Sequence, residues 1–242
     1  MSREAKAKTR IKRQKDLIKN YLQKPGDYFA HARKEIAPLL PRDAGSVLEI
    51  GCGSGGTLGW LRETGCASIT VGIEIVEWAA EQARFHADVV HCLDLERDEL
   101  PANLGSFDTI LCLDVLEHMV NPWHVVDKLV SDHLRPGGTL VVSLPNVRHY
   151  SVVFPLLFAG QWKYEQSGLL DRTHLRFFTK NTAFELMAHP LLGSVRCLPK
   201  ALWNTRKGLF NFMTLGVFRE LVTYQLVLSA SKKERGDNDQ AS

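Results

Sequence analysis

At 242 residues, with 45% hydrophobic and 24% charged side chains, the chain has the size and balance of one globular domain, which excludes a disordered or collagen-like polymer. No stretch holds the ~20 uninterrupted apolar residues of a membrane-spanning helix. The five cysteines at 52, 66, 92, 112 and 197 lack C-x-x-C spacing and fall largely in apolar runs, so they read as reduced core residues of a cytoplasmic protein and not as a disulfide frame. The net charge of +3 is uneven: residues 1–24 carry nine Lys/Arg against Glu4 and Asp16, a local +7 that leaves the remainder at −4.

That basic segment has no apolar core or small-residue cleavage site, so it does not read as a secretory signal. Its sparse apolar positions, Ile11, Leu17, Ile18, Tyr21 and Leu22, allow a weakly amphipathic helix, either a solvated extension or a surface for an anionic lipid or polymer. Pro25-Gly26 closes it, and a helix is expected over 27–39, ending at Pro38 to Pro41. Strands are then expected at 46–50, 69–73, 89–92, 109–113 and 139–144, alternating with helices at 57–63, 77–87 and 122–134. The strands are continuous apolar runs, as when helices cover both faces of a sheet. The alternation predicts an α/β, Rossmann-like doubly wound sheet.

Beyond Pro145 the pattern changes. Residues 146–178 are aromatic and polar, broken by Gly160 and Gly168, and read as a lid inserted over the strand ends. A helix over 179–188, a short strand near 195–198, an apolar stretch at 209–222 and a last strand at 223–229 complete the domain. The domain is thus expected over 25–230, with a disordered polar tail at 231–242.

The chemistry starts at Val47-Leu48-Glu49-Ile50-Gly51-Cys52-Gly53-Ser54-Gly55-Gly56, a strand breaking into a glycine turn that opens a helix. Such a turn lets the backbone approach a ligand and aims helix N–H groups at it. Gly51-x-Gly53-x-x-Gly56 also fits the dinucleotide fingerprint. Glu49 discriminates, because a carboxylate there suits a cationic ligand group better than a pyrophosphate. Glu74 ends the second strand, 23 residues after Gly51, where an acid can accept from ribose hydroxyls. Asp94 follows the third strand and could accept from an exocyclic base amine, or simply sit in a loop. Asp114-Val115-Leu116-Glu117-His118 follows the fourth strand and gathers three polar side chains on one turn. Leu134-Arg135-Pro136-Gly137-Gly138 introduces the fifth.

These four motifs, in this order, resemble class I S-adenosylmethionine (SAM)-dependent methyltransferases. The resemblance implies a seven-stranded sheet, mostly parallel with an antiparallel last strand. It also implies SAM roles: Glu49 and Gly51 near the methionine moiety, Gly53 and Gly55 in the turn, Glu74 at ribose, Asp94 at adenine, Leu113 and Asp114 lining the pocket. Pro145-Asn146-Val147-Arg148-His149 and Asp171-Arg172-Thr173-His174-Leu175-Arg176-Phe177-Phe178-Thr179 resemble small bacterial O-methyltransferases of surface-polysaccharide or quinone biosynthesis.

An alcohol acceptor must lose its proton, which calls for a base or a metal. His118, His149 and His174 stand out among nine histidines, and Asp171 is spaced to orient His174 or to cap a turn. Asp114, Glu117 and His118 resemble an acidic-x-x-Glu-His metal site of some quinone and small-RNA methyltransferases, although the run is common in methyltransferases and the metal is left unknown. The lid aromatics Tyr150, Phe154, Phe158, Trp162 and Tyr164 suit either ring stacking or packing of the lid. The sequence-based expectation is O-methylation of a sugar hydroxyl of a surface polysaccharide or its precursor. A quinone or phenolic small molecule is the alternative, and a non-catalytic SAM-binding protein the reading from another class. The thin basic footprint argues against a nucleic-acid partner, and the tail allows peripheral contact with the inner face of a membrane.

Overall fold

The computed structural model describes residues 31–201 and 218–234; the basic segment 1–24 and most of 209–222 lie outside them. Seven strands form one sheet: β1 (Gly45–Ile50), β2 (Ala67–Glu74), β3 (Val89–Cys92), β4 (Phe107–Leu113), β5 (Leu134–Pro145), β6 (Arg196–Ala201) and β7 (Thr223–Ser231). Their order is β3-β2-β1-β4-β5-β7-β6. The first five pair in parallel, and β7 runs antiparallel to both of its neighbours. The helices are α1 (Gly56–Glu63), α2 (Glu77–Ala83), α3 (Pro122–Lys128), α4 (Tyr150–Ala159), α5 (Lys180–Met187) and the single turn α6 (Arg219–Val222).

The apolar runs become strands because each side chain in turn meets one of two cores. Leu48, Ile110, Cys112, Leu140 and Val142 pack with Val125, Val126, Leu129 and Leu186 on one face. Val47, Leu111, Leu113, Val141 and Val227 pack with Ile36, Leu58 and Leu61 on the other. Thr179 caps α5 through a reciprocal capping box with Thr182, and Asn121 caps α3 with Pro122 at its first position.

Three expectations are corrected. The described part of the helix at 27–39 is a 3-10 helix, Lys34–Leu39, because Pro38 inside it has no N–H for an α-helical ladder. The helix at 122–134 ends at Lys128 and widens into a π-type turn, Leu129–His133. Order also runs past 231: Lys232 Nζ donates to the Val130 and Leu134 carbonyls at 2.6 and 2.8 Å, and Gly137 N donates to Lys232 O at 2.9 Å. Cys52 and Cys112 are buried as expected of core thiols, whereas Cys92 is exposed. No helix among the described residues is long and apolar enough to cross a membrane.

Candidate active site

β1 and β4 are adjacent although two strands separate them in sequence, so the chain order reverses there and the carboxyl ends of the strands open a crevice. Gly51, Gly53 and Gly55 have φ of +69°, +54° and +81°, conformations only glycine adopts without strain. Gly51 N and Cys52 N both donate to Ile73 O, at 2.8 and 3.2 Å, hooking the turn over the end of β2. A Cβ on Gly51 would lie 2.9 Å from Val115 Cγ2. The Glu74 carboxylate fastens the same turn, accepting from Gly53 N at 2.8 Å and from Ile75 N and Val76 N at 2.9 Å.

A cavity of about 380 Å³ fills this crevice, within the range of small-ligand sites. Of the expected ligand residues, Glu49, Gly51, Gly53, Glu74, Asp94, Leu113 and Asp114 line it, together with His118. Gly55 does not line it. Its close approach is to α2, where a Cβ would come within 3.0 Å of Ala83 Cα. Asp94 turns its carboxylate to its own loop, accepting from Glu96 N at 3.1 Å and pairing with Arg97 Nε at 3.2 Å.

Glu49 is buried, and its Oε2 has no hydrogen-bond partner among the described residues. Burial pushes its carboxyl up to about 8, although a hydrogen bond from Thr57 and the charge of Arg33 pull the other way. Arg33 donates to Glu35 Oε1 at 2.7 Å, to Ser143 Oγ at 3.2 Å and to Asp114 Oδ2. Asp114 sits at φ +54° and is held from three sides. Its N–H reaches Ser143 O and Oγ, and its carboxylate accepts from Ser143 Oγ at 2.8 Å and from Gln225 Nε2 at 2.6 and 2.7 Å.

Beyond the cavity wall lies a second group. Glu117, His118 and His174 are all buried, with one ligand atom from each within 4.8 Å of the others. The two imidazoles meet edge-on, with ring centroids 4.8 Å apart, and His174 Nε2 lies 3.9 Å from Glu117 Oε1. His118 Nδ1 faces Thr173 O at 3.2 Å, and His174 Nδ1 faces Leu169 O at 3.1 Å. A carbonyl only accepts, so each Nδ1 carries the proton and each Nε2 its lone pair in the neutral ring. Glu117 Oε2 has no hydrogen-bond partner among the described residues. Burial first, then the charge of Asp114, raises its carboxyl well above the ordinary range.

This geometry revises two sequence readings. Among the described residues the metal-capable group takes His174 from the lid in place of Asp114, whose carboxylate is engaged by Arg33 and Gln225. Asp171 Oδ1 accepts from Thr173 N at 2.9 Å and Thr173 Oγ1 at 2.7 Å, so it closes the turn that carries His174. His149 is buried against Ser151, Tyr150 and Tyr224.

A family model described as a methyltransferase domain matches residues 22–189. The chain belongs to that family. Similar curated proteins include a ubiquinone biosynthesis O-methyltransferase from Idiomarina loihiensis, 35% identical over 41% of this chain and 42% of that protein. A 27-O-demethylrifamycin SV methyltransferase from Amycolatopsis mediterranei is 36% identical over 44% and 41%. A tRNA U34 carboxymethyltransferase from Hahella chejuensis is 32% identical over 44% and 34%. The match therefore spans less than half the length of each of these relatives. Among solved structures, the complex between the Haloferax volcanii Trm112 methyltransferase activator and a methyltransferase gives a TM-score of 0.59 at 17% identity, covering 92% of this chain and 94% of that one. The plantazolicin methyltransferase in complex with S-adenosylhomocysteine gives 0.56 at 15% identity, covering 95% and 90%. At these identities the structures establish the fold.

The chain thus carries a methyltransferase domain on a Rossmann-like sheet. Four residues of the methyltransferase site escape the sequence motifs: Arg33, Thr57, Ser143 and Gln225. Gln225 left a trace, as a polar residue inside the apolar run of β7. Arg33 left none, because its segment precedes the first strand and resembles any basic helix.

Proposed function

We propose that this methyltransferase transfers the SAM methyl group to a ring-borne hydroxyl, a phenol or quinol of a small molecule. Glu117 carries the reading, as a buried carboxyl with an unpartnered oxygen beside two imidazoles, one of which, His118, lines the cofactor cavity. Such a group can take a proton from an acceptor oxygen. Two of the relatives named above carry out O-methylation by name, and the quinone in the first of these names favours a phenol or quinol over the saccharide suggested by the lid motif.

The site fits SAM on its own terms: an unpartnered Glu49 oxygen suits a cationic amino group, and a cradle at Gly51 leaves no room for a Cβ. When bound, SAM supplies a methyl group activated on a sulfonium sulfur. Glu49 would hold its amino group, Glu74 its ribose and the Asp94 loop its base, while Arg33 and Gln225 keep Asp114 fixed at the cavity wall. The lid turn from Leu169 to His174 excludes water and holds both imidazoles. His118 or His174 accepts the hydroxyl proton at Nε2. The same donor set fits a divalent cation: a buried carboxylate and two imidazoles whose Nδ1 protons are held by carbonyls. Glu117, His118 and His174 would hold it, and it would lower the acceptor's pKa.

Labelled SAM offered with separate panels of catechols and quinols, saccharides, and RNA tests the proposal. Methyl ethers in the first panel support it. Label confined to sugar, RNA, nitrogen or carbon acceptors overturns it.

A further inference from the structure

Between the two limbs that carry the site residues, the lid extends an arm whose side chains the fold leaves uncovered. Residues 154–168 are exposed without interruption. Helix α4 is apolar along nearly its whole length, yet only Val152 is buried, while Leu157 and Phe158 are 69% and 79% exposed. A soluble surface rarely leaves so many contiguous large apolar groups in water without a use for them. Trp162, Lys163 and Tyr164 follow at the helix end, the amphipathic residue types that settle at a bilayer's headgroup level.

Both ends of the arm are tied to the active edge. Val147 N donates to Phe178 O at 3.0 Å, Asn146 bridges to Phe178, and Glu165 bridges to Asp171. A run of ring contacts leads inward from the arm: Trp162 on Phe177 at 5.1 Å, Phe177 on His174 at 6.3 Å, and His174 on His118 at 4.8 Å. His118 lines the cofactor cavity, so a continuous run of ring contacts joins the exposed arm to the site.

Charge selects the occupant. Residues 146–180 hold five Lys/Arg against Glu165 and the buried Asp171; Arg148 and Lys180 pair with Glu220, which leaves Lys163, Arg172 and Arg176 as the basic rim. In sequence, the +7 segment 1–24 precedes His31, the first described residue, which lines the cavity. An anionic bilayer offers apolar depth for the helix and negative headgroups for the basic rim.

We propose that the arm of residues 150–168 docks the enzyme on an anionic membrane surface, so that an acceptor with a lipophilic tail enters the site from the bilayer along the aromatic track. This deepens the proposed reading and rests on it only for the identity of the acceptor. Docking itself needs no acceptor, so the two can fail separately.

The test is co-sedimentation of the full chain with phosphatidylcholine vesicles, with and without phosphatidylglycerol. Binding is expected with the anionic vesicles and at least about tenfold weaker with neutral ones. The double variant Leu157→Glu/Phe158→Glu should lose about tenfold or more, with SAM affinity unchanged as the sign that the fold is intact. Phe85→Glu alters a residue 77% exposed on the other half of the sheet and should bind as wild type. Should the double variant not fold, brominated lipid provides the second measurement: its quenching of wild-type tryptophan fluorescence should fall by half or more in Trp162→Phe. Equal vesicle binding by wild type and double variant, or quenching unchanged by Trp162→Phe, overturns the proposal. So does a double variant that turns a dimer into a monomer without altering vesicle binding.

Discussion

His118, just past β4, and His174, on the returning limb of the lid, face each other edge-on with ring centroids 4.8 Å apart, and each directs Nδ1 at a lid carbonyl. The lid therefore both supplies one imidazole and fixes the tautomer of the other. His118 borders the cofactor cavity, whereas His174 does not line it. Replacing His174 by alanine should accordingly lower turnover about 10²- to 10⁴-fold and leave SAM affinity within about twofold of wild type. Steady-state kinetics beside calorimetry with SAM measure the two effects. A variant that loses SAM binding instead would show His174 to be part of the cofactor wall.

Glu117 lies beside those imidazoles, with an oxygen that has no hydrogen-bond partner among the described residues. If the trio holds a divalent cation, a cation at 100 times its dissociation constant adds about 2.7 kcal/mol to folding stability. That is about 5–10 °C in melting temperature for a domain of this size. Chelated wild type titrated with Mg²⁺ or Mn²⁺ should show this rise, and Glu117→Gln should show none. Full activity after exhaustive chelation, with no thermal shift, would show that the trio works without a cation.

Glu49 makes the empty site pH-sensitive. Its folded pKa of about 8 exceeds that of an unfolded glutamate, so between the two values the native state binds the extra proton and stability falls as pH rises. Glu49→Gln removes this loss. Without SAM the variant should melt several degrees above wild type at pH 8 and with it at pH 4. SAM binding should be bell-shaped about pH 8. Below that pH the carboxyl and the ligand's α-amino group both hold protons, and one must leave; above it neither does, and one must be gained. Glu49→Gln should flatten the acid limb in calorimetry over pH 6–9.

Gln225 gives the Asp114 carboxylate a hydrogen bond to each oxygen, while Asp114 sustains a left-handed backbone. Removing those donors by Gln225→Ala should cost about 1–3 kcal/mol. Gln225→Glu should cost more, because it sets a second negative charge against Asp114. Denaturant melts of both variants check the order.

The sheet was legible because both faces are buried, and double burial writes each strand as an unbroken apolar run. Glu49, Glu74 and the glycine turn were legible because their spacing follows from one strand-turn-helix crossing. Long-range closure was not. Arg33 meets Asp114, and Gln225 reaches it from β7, through contacts that no local pattern encodes. His174 stood out only as one histidine near an aspartate, and Asp171 proved to close a turn because Thr173 offers its carboxylate two nearer donors. Helix ends slipped where Pro38 and the widened turn after Lys128 overrode periodicity.

The central claim is methyl transfer from SAM to a ring hydroxyl at the His118–His174 pair. Labelled SAM with 4-nitrocatechol, followed by mass spectrometry and NMR of the product, tests it most directly in wild type and His174→Ala. The account predicts label on a phenolic oxygen in wild type and at least about a hundredfold slower formation in the variant. No labelled ether across the catechol and quinol panel, or equal rates in the two proteins, would contradict it.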